Sequence, residues 1–266
     1  MGMLFNIKNG TAAGADYIRF GTGKKNLILL PGLGDGLRTV KGTALPMALY
    51  YRSLAKNYTV YMFSRKAKLQ SGCSTWDMAR DLKKAMEELG IGSASFVGVS
   101  MGGMIAQHFA ADYPEAVEKL VLVVTCAREN PILLESLEEW TACANADDHT
   151  ALMDSNLRRI YSDTYYRKNR WMVPITGALT KPKSYDRFLR MADACRSHDA
   201  WKSLPGITAP TLVIGGEQDQ TLGAEASREL AARIPGAQLK MYPQWGHGLY
   251  EEAKDFLPSV AEFLGK

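Results

Sequence analysis

Four cysteines and four histidines in 266 residues are too few and too scattered for a disulfide framework or a metal centre. Cys73, Cys126, Cys143 and Cys195 form no C-x-x-C pair and no metal-ligand spacing with a histidine. They read as free thiols of a reducing compartment, with Cys126 buried at the end of an apolar strand. A chain of this length can build a core that needs no such staples. Basic tracts are missing too. The net charge of +4 is mild and lacks the clustering that nucleic-acid binders show. No apolar stretch approaches the length of a transmembrane helix. The opening MGMLFNIKNG has no signal-peptide core, and Asn6 stands where a myristoylation motif wants Ser or Thr. These absences predict a cytoplasmic protein with no membrane or nucleic-acid partner. Acidic residues are absent from 36–76, which carries Arg38, Lys41, Arg52, Lys56, Arg65, Lys66 and Lys68. That run reads as a solvated basic face rather than a device for steering anions. The loop GLGDG fails the dinucleotide fingerprint, because its last position is Leu37, and no P-loop is present.

What is present is a rhythm. Short apolar runs at 27–30, 58–63, 95–99, 120–124 and 211–214 have strand length, with a shorter one at 239–242. Runs apolar on both faces suggest a buried parallel sheet. Helical patterns lie between them at 78–89, with Asp77 as N-cap and Gly90 as stop, and at 101–113, 224–234 and 251–264. The alternation predicts an α/β fold. It breaks at 128–204, which reads as helices rich in Trp140, Tyr161, Tyr165, Tyr166, Trp171, Met172 and Trp201. The expected organisation is a core of 1–127 and 205–266 with a helical cap inserted at 128–204.

One stretch suits neither a strand nor a helix. FVGVSMGGM, residues 96–104, sets Ser100 between Gly98 and Gly102, where a strand meets a helix. Glycine in a helix interior costs about 1 kcal/mol, so these small residues need another reason. A serine held on a sharp strand-to-helix turn supplies one, because such a turn demands tiny neighbours. The helix start behind it favours negative charge.

With that context, the chain resembles the α/β-hydrolase superfamily, and GVSMGG is similar to its nucleophile elbow. The likeness covers 1–127 and 205–266. It implies an acid and a histidine following the serine in that order. Of the four histidines, His108 lies in the helix after the elbow, while His149 and His198 sit among polar residues of the insertion and read as surface or cap residues. His247, in YPQWGHGLYEE between Gly246 and Gly248, matches the family's histidine loop. Asp219, in the EQDQ that follows PTLVIGG, fits the acid position, with Glu217 as its rival. The resemblance maps oxyanion-holding N–H groups to Leu33 and Met101. Two departures stand out: Pro31 replaces a frequent histidine, and SRKAKLQSG replaces an acidic residue and an R-G-x-G stretch.

The expectation is a serine hydrolase acting on a small, largely apolar acyl substrate, first a carboxylic ester, with no metal or organic cofactor. Acyltransferase, perhydrolase, lactonase and C–C hydrolase chemistry remain open within the fold. So does a non-catalytic ligand receptor, since fold does not dictate function. The cap's aromatic and Met residues either line an apolar pocket or, as the better reading for any one of them, pack the cap's own core. Arg159 and Arg190 either meet a substrate carboxylate or, more often for such arginines, are solvated or paired at the surface. A homodimer stays open.

Overall fold

Leu27 and Leu29 point to one side of the sheet, Ile28 and Leu30 to the other, and all four are buried. A strand wetted on neither face needs apolar side chains at every position, which is why the sequence shows unbroken runs there. The computed structural model describes residues 6–265. Its strands are β1 (Lys8–Ala12), β2 (Ala15–Phe20), β3 (Lys25–Leu30), β4 (Tyr58–Lys66), β5 (Ala94–Val99), β6 (Val117–Val123), β7 (Thr211–Gly216) and β8 (Gln238–Tyr242). They form one sheet in the order β1-β2-β4-β3-β5-β6-β7-β8. β4, β3 and β5 to β8 run parallel, and β1 and β2 make an antiparallel edge.

The helices are α1 (Ala44–Tyr50), α2 (Arg52–Ala55), α3 (Thr75–Glu88), α4 (Met101–Asp112), α5 (Pro131–Asn145), α6 (His149–Ile160), α7 (Asp163–Asn169), α8 (Val173–Thr180), α9 (Asp186–Arg196), α10 (Ala224–Arg233), α11 (Leu249–Glu252) and α12 (Phe256–Gly265). Two cores result, one per face. The first packs β3 and β5 against α3, α4 and α10 through Ile28, Phe96, Met86, Phe109 and Leu230. The second packs the other face against α1, α2 and α12 through Leu29, Val97, Ala48, Leu54, Phe256 and Val260. Each fully buried Phe contributes roughly 2–3 kcal/mol.

Chain direction reverses between β3 and β5. From β3 the chain moves outward to β4, then returns to β5 on β3's other side. The carboxyl ends of β3 and β5 therefore diverge at a switch point, where open α/β sheets bind ligands. Helices α5 to α9 all fall between the neighbouring strands β6 and β7, and the end of α6 meets the loops after β7 and β8. Gly248 N–H donates to Ile160 O at the end of α6, and Thr221 Oγ1 donates to Arg159 O.

Several expectations are corrected. The β1–β2 hairpin was not legible, because β1 is KNGTA, polar and largely exposed. Helix α3 starts earlier than expected. Ser74, not Asp77, is its N-cap: Asp77 N–H donates to Ser74 Oγ, and Ser74 N–H donates to Asp77. Asp77 is the third residue of that capping box. The stretch 251–264 is two helices, α11 and α12, rather than one. His149 and His198 are buried, not surface residues. Arg65, read as part of a solvated basic face, is buried as well.

Candidate active site

Ser100 has φ 53° and ψ −121°, a conformation L-residues rarely adopt. The surroundings explain how it is held. Its N–H donates to Val123 O at 2.9 Å, tying the turn to the end of β6. Its carbonyl accepts from Thr125 Oγ1 at 2.8 Å. Val124, between those two anchors, is itself at φ 41°, so two adjacent strand ends share the strain. The glycines are required by close approach. A Cβ on Gly98 would stand 2.6 Å from Gly102 O, and one on Gly103 would stand 2.6 Å from Thr125 Cγ2. Thr125 carried no signal in the sequence.

Asp219 and His247 are brought together. His247 Nδ1 lies 2.9 Å from Asp219 Oδ2, and both side chains are almost fully buried. A carboxylate can only accept here, so Nδ1 carries the proton and Nε2 keeps its lone pair. The other carboxylate oxygen, Oδ1, accepts from Thr221 N–H at 2.8 Å and Leu222 N–H at 2.9 Å. Three hydrogen bonds thus fix the carboxylate's plane. The histidine loop reaches Asp219 because Gly216 has no side chain; a Cβ there would come within 2.6 Å of Gly246 O. Glu217, the rival acid, pairs instead with Arg228 at the surface.

Leu33 opens a short 3₁₀ turn, Leu33–Gly36, and Met101 opens α4. Neither N–H has a partner within its own helix by virtue of its position. Gly32 lies against Ser100, since a Cβ on it would stand 3.3 Å from Ser100 Cβ. The two departures in sequence meet beside this turn. Asp35 is buried and accepts from Ser64 Oγ at 2.6 Å, from Arg65 N–H at 3.0 Å and from the Arg187 guanidinium. Burial pulls the Arg65 guanidinium below an ordinary arginine's value, and Asp35 pushes it back up.

A cavity of about 610 Å³ adjoins these groups. Its walls include Pro31 and Gly32 of the turn after β3, Val99 before Ser100, and Tyr250 and Glu251 after His247. Met47 and Tyr50 of α1 close another side. The cavity is lined from α1 and α11 and the strands beside them, with no aromatic residue of 128–204 on its wall. Tyr50 donates its hydroxyl to Tyr250 O. Glu251 accepts from Tyr161 OH at 2.8 Å. Burial raises the Glu251 carboxyl above its ordinary value, and the Tyr161 hydroxyl opposes that. Arg159 is held by Glu135 at 2.7 Å and by Glu139 at 2.5 Å, so it is not free to meet a substrate carboxylate. Arg190 is half-buried on α9.

The match to known proteins agrees with this architecture. Residues 25–254 match the family model described as alpha/beta hydrolase fold. The chain belongs to the α/β-hydrolase family and is a hydrolase of that fold. It is 26% identical over 97% of its length, and 93% of the relative's, to the 2-hydroxy-6-oxononadienedioate/2-hydroxy-6-oxononatrienedioate hydrolase of Burkholderia vietnamiensis. It is 25% identical to the putative carbamate hydrolase RutD of a Caulobacter strain, over 91% of both chains. Among solved structures it is similar to MGS-M2, an alpha/beta hydrolase enzyme from a deep-sea metagenome library. The TM-score is 0.83 at 26% identity, covering 97% of this chain and 98% of that one. The enol-lactonase of Burkholderia xenovorans LB400 shares the fold, with a TM-score of 0.80 at 23% identity over 97% of this chain and all of that one. Among the described residues no helix is long and apolar enough to cross a membrane.

Proposed function

We propose that the chain is a serine hydrolase that opens an acyl bond, first a carboxylic ester, of a small and largely apolar substrate. The observation that carries this reading is the Asp219–His247 pair at 2.9 Å, in loops that follow β7 and β8 at the same carboxyl end of the parallel strands as the strained Ser100 after β5. Ser100 Oγ attacks the acyl carbonyl while His247 Nε2 takes its proton. Asp219 holds the imidazole tautomer and stabilises the imidazolium. The N–H groups of Leu33 and Met101 receive the charge that develops on the carbonyl oxygen. His247 then protonates the leaving alkoxide. Water opens the acyl-enzyme by the same steps, losing its proton to Nε2 and freeing Ser100 and a carboxylic acid. Residues 128–204 act as the cap over this crevice.

C–C bond hydrolysis is the second reading, favoured by relatives whose names end in dioate hydrolase. The cavity speaks for an uncharged substrate instead. The charged side chain on its wall is the carboxylate of Glu251, and two further carboxylates would meet like charge.

The test is hydrolysis of p-nitrophenyl acetate, butyrate and octanoate by the wild type and by Ser100→Ala. Turnover that disappears in the variant supports the reading, and the chain-length trend sizes the cavity. A folded wild type with no turnover, and with no covalent labelling by a fluorophosphonate, would remove it.

A further inference from the structure

The oxyanion turn is three residues long between fixed points, and both points are held by arginines. On one side the Arg65 guanidinium donates to Pro31 O, and to Phe63 O at 3.4 Å. On the other side Arg187 donates to the carbonyl and to the carboxylate of Asp35. Between them lie Gly32, Leu33 and Gly34. Arg187 also donates from Nε to Lys66 O at 3.0 Å and from Nη2 to Arg65 O at 2.9 Å. One planar guanidinium thereby joins the turn after β3 to the end of β4. It comes from neither: Arg187 stands on α9, in the cap. Its neighbour Phe188 seals the contact, since a Cβ on Gly36 would lie 2.7 Å from Phe188 Cα.

The two departures from the family pattern are thus two halves of one brace. The turn contributes Asp35, the end of β4 contributes Ser64 and Arg65, and α9 contributes the fork that closes it. We propose that Arg187 is a positioning residue. Acting through Asp35, it sets where the Leu33 N–H points, so the oxyanion hole is complete only when α9 is seated. This rests on the serine-hydrolase reading. A peptide N–H stabilises an oxyanion only at hydrogen-bond distance and in line, and removing one such donor costs roughly 10²- to 10³-fold in kcat. A donor that is misplaced rather than deleted loses less. Lysine is a poor substitute, because a point charge on a flexible stem cannot serve four fixed acceptors at once.

The experiment compares wild type, Arg187→Ala and Arg187→Lys, each checked for folding by circular dichroism. Three readouts are taken: kcat and KM on the best p-nitrophenyl ester, the inhibition constant of phenylboronic acid, and kcat with added guanidinium at low millimolar concentration. Boronate bonded to Ser100 Oγ places a negative oxygen in the hole, so its affinity reports the donors directly. The expected result for Arg187→Ala is a kcat lower by roughly 30- to 100-fold with KM within about threefold. Boronate should weaken by a similar factor, and guanidinium should restore part of kcat in the variant alone. Arg187→Lys should lose about tenfold and keeps the test open if the alanine variant does not fold. Boronate affinity within threefold of wild type in a folded variant would overturn the proposal. So would a kcat loss that guanidinium leaves untouched and boronate does not share, since that describes general loosening. A wild type that neither turns over esters nor reacts with a fluorophosphonate would remove the serine-hydrolase reading itself, and this proposal with it.

Discussion

The two walls of the crevice are held by different means. On the histidine side the Asp219 carboxylate is fixed by backbone N–H groups two and three residues further along, from Thr221 and Leu222. The histidine loop is tied down by further backbone bonds: Gln218 N–H donates to Trp245 O at 3.1 Å, and Gly248 N–H to Ile160 O at 2.6 Å. On the Asp35 side the support comes through side chains from afar, with Ser64 29 residues and Arg187 152 residues from Asp35. The first wall is held mainly by backbone hydrogen bonds, one of which reaches Ile160 at the end of α6. The second is assembled through side chains from three separate segments, the turn after β3, the end of β4 and α9.

That contrast can be tested by breaking each wall in turn. The largest effect is expected at the histidine side. Asp219→Asn keeps an oxygen for the Thr221 and Leu222 N–H groups but presents an amide to His247, favouring the wrong tautomer. A kcat loss on the order of 10⁴-fold with an unchanged melting temperature is expected. Glu217→Gln should stay within about threefold, since its partner is the surface Arg228. A large loss in Glu217→Gln with little change in Asp219→Asn would exchange their roles. The oxyanion wall comes next, with the intermediate loss in kcat described for Arg187→Ala.

A smaller effect is expected at the cavity. Glu251→Gln should raise turnover of an ester bearing a terminal carboxylate by roughly three- to tenfold relative to its methyl counterpart. Because the Glu251 pKa is raised, the wild type should discriminate more strongly as pH rises through that value and the carboxylate forms. Equal selectivity in wild type and variant at every pH would place the substrate elsewhere.

The smallest effect on activity is expected from His198, although its effect on stability is large. Its Nδ1 lies 2.9 Å from Thr75 Oγ1 and its ring meets His108 edge-on at 5.1 Å. Burial pushes its pKa down to about 3, and the neighbouring His108 adds to that. Between about pH 3 and the ordinary histidine value the unfolded chain binds a proton that the folded one does not. Stability therefore falls as pH falls through that window, by several kcal/mol at ~1.4 kcal/mol per pKa unit. His108, also lowered by burial, acts in the same direction. In His198→Asn the urea-unfolding free energy should depend less steeply on pH from 6.5 to 4, with kcat nearly unchanged. An unaltered slope would assign the acid sensitivity to other groups.

Much of this was legible before any coordinates. The β3, β5 and β7 runs read correctly because strands buried on both faces have no polar positions to blur them. The strand-to-helix turn at Ser100 read correctly because its steric demands are local: Gly98, Gly102 and Gly103 are written beside it. His247 and Asp219 stood out through the small residues that let their loops approach. The first hairpin did not, since β1 sits at the sheet edge with polar, exposed side chains. His198 was misplaced because a short polar stretch such as CRSHDAW says nothing about what packs above it.

What the sequence determined by itself is the succession of strands and helices and the turn chemistry, both governed by residues within a few positions of each other. Only the tertiary structure decided that Asp35, Arg65 and Arg187 form one buried brace. It also decided that α1 and α11 wall the cavity and that Glu251 faces into it. Those outcomes depend on which distant segments the packed sheet brings within hydrogen-bond range. The entropy of closing such long loops is repaid by the whole core rather than by the contacts themselves.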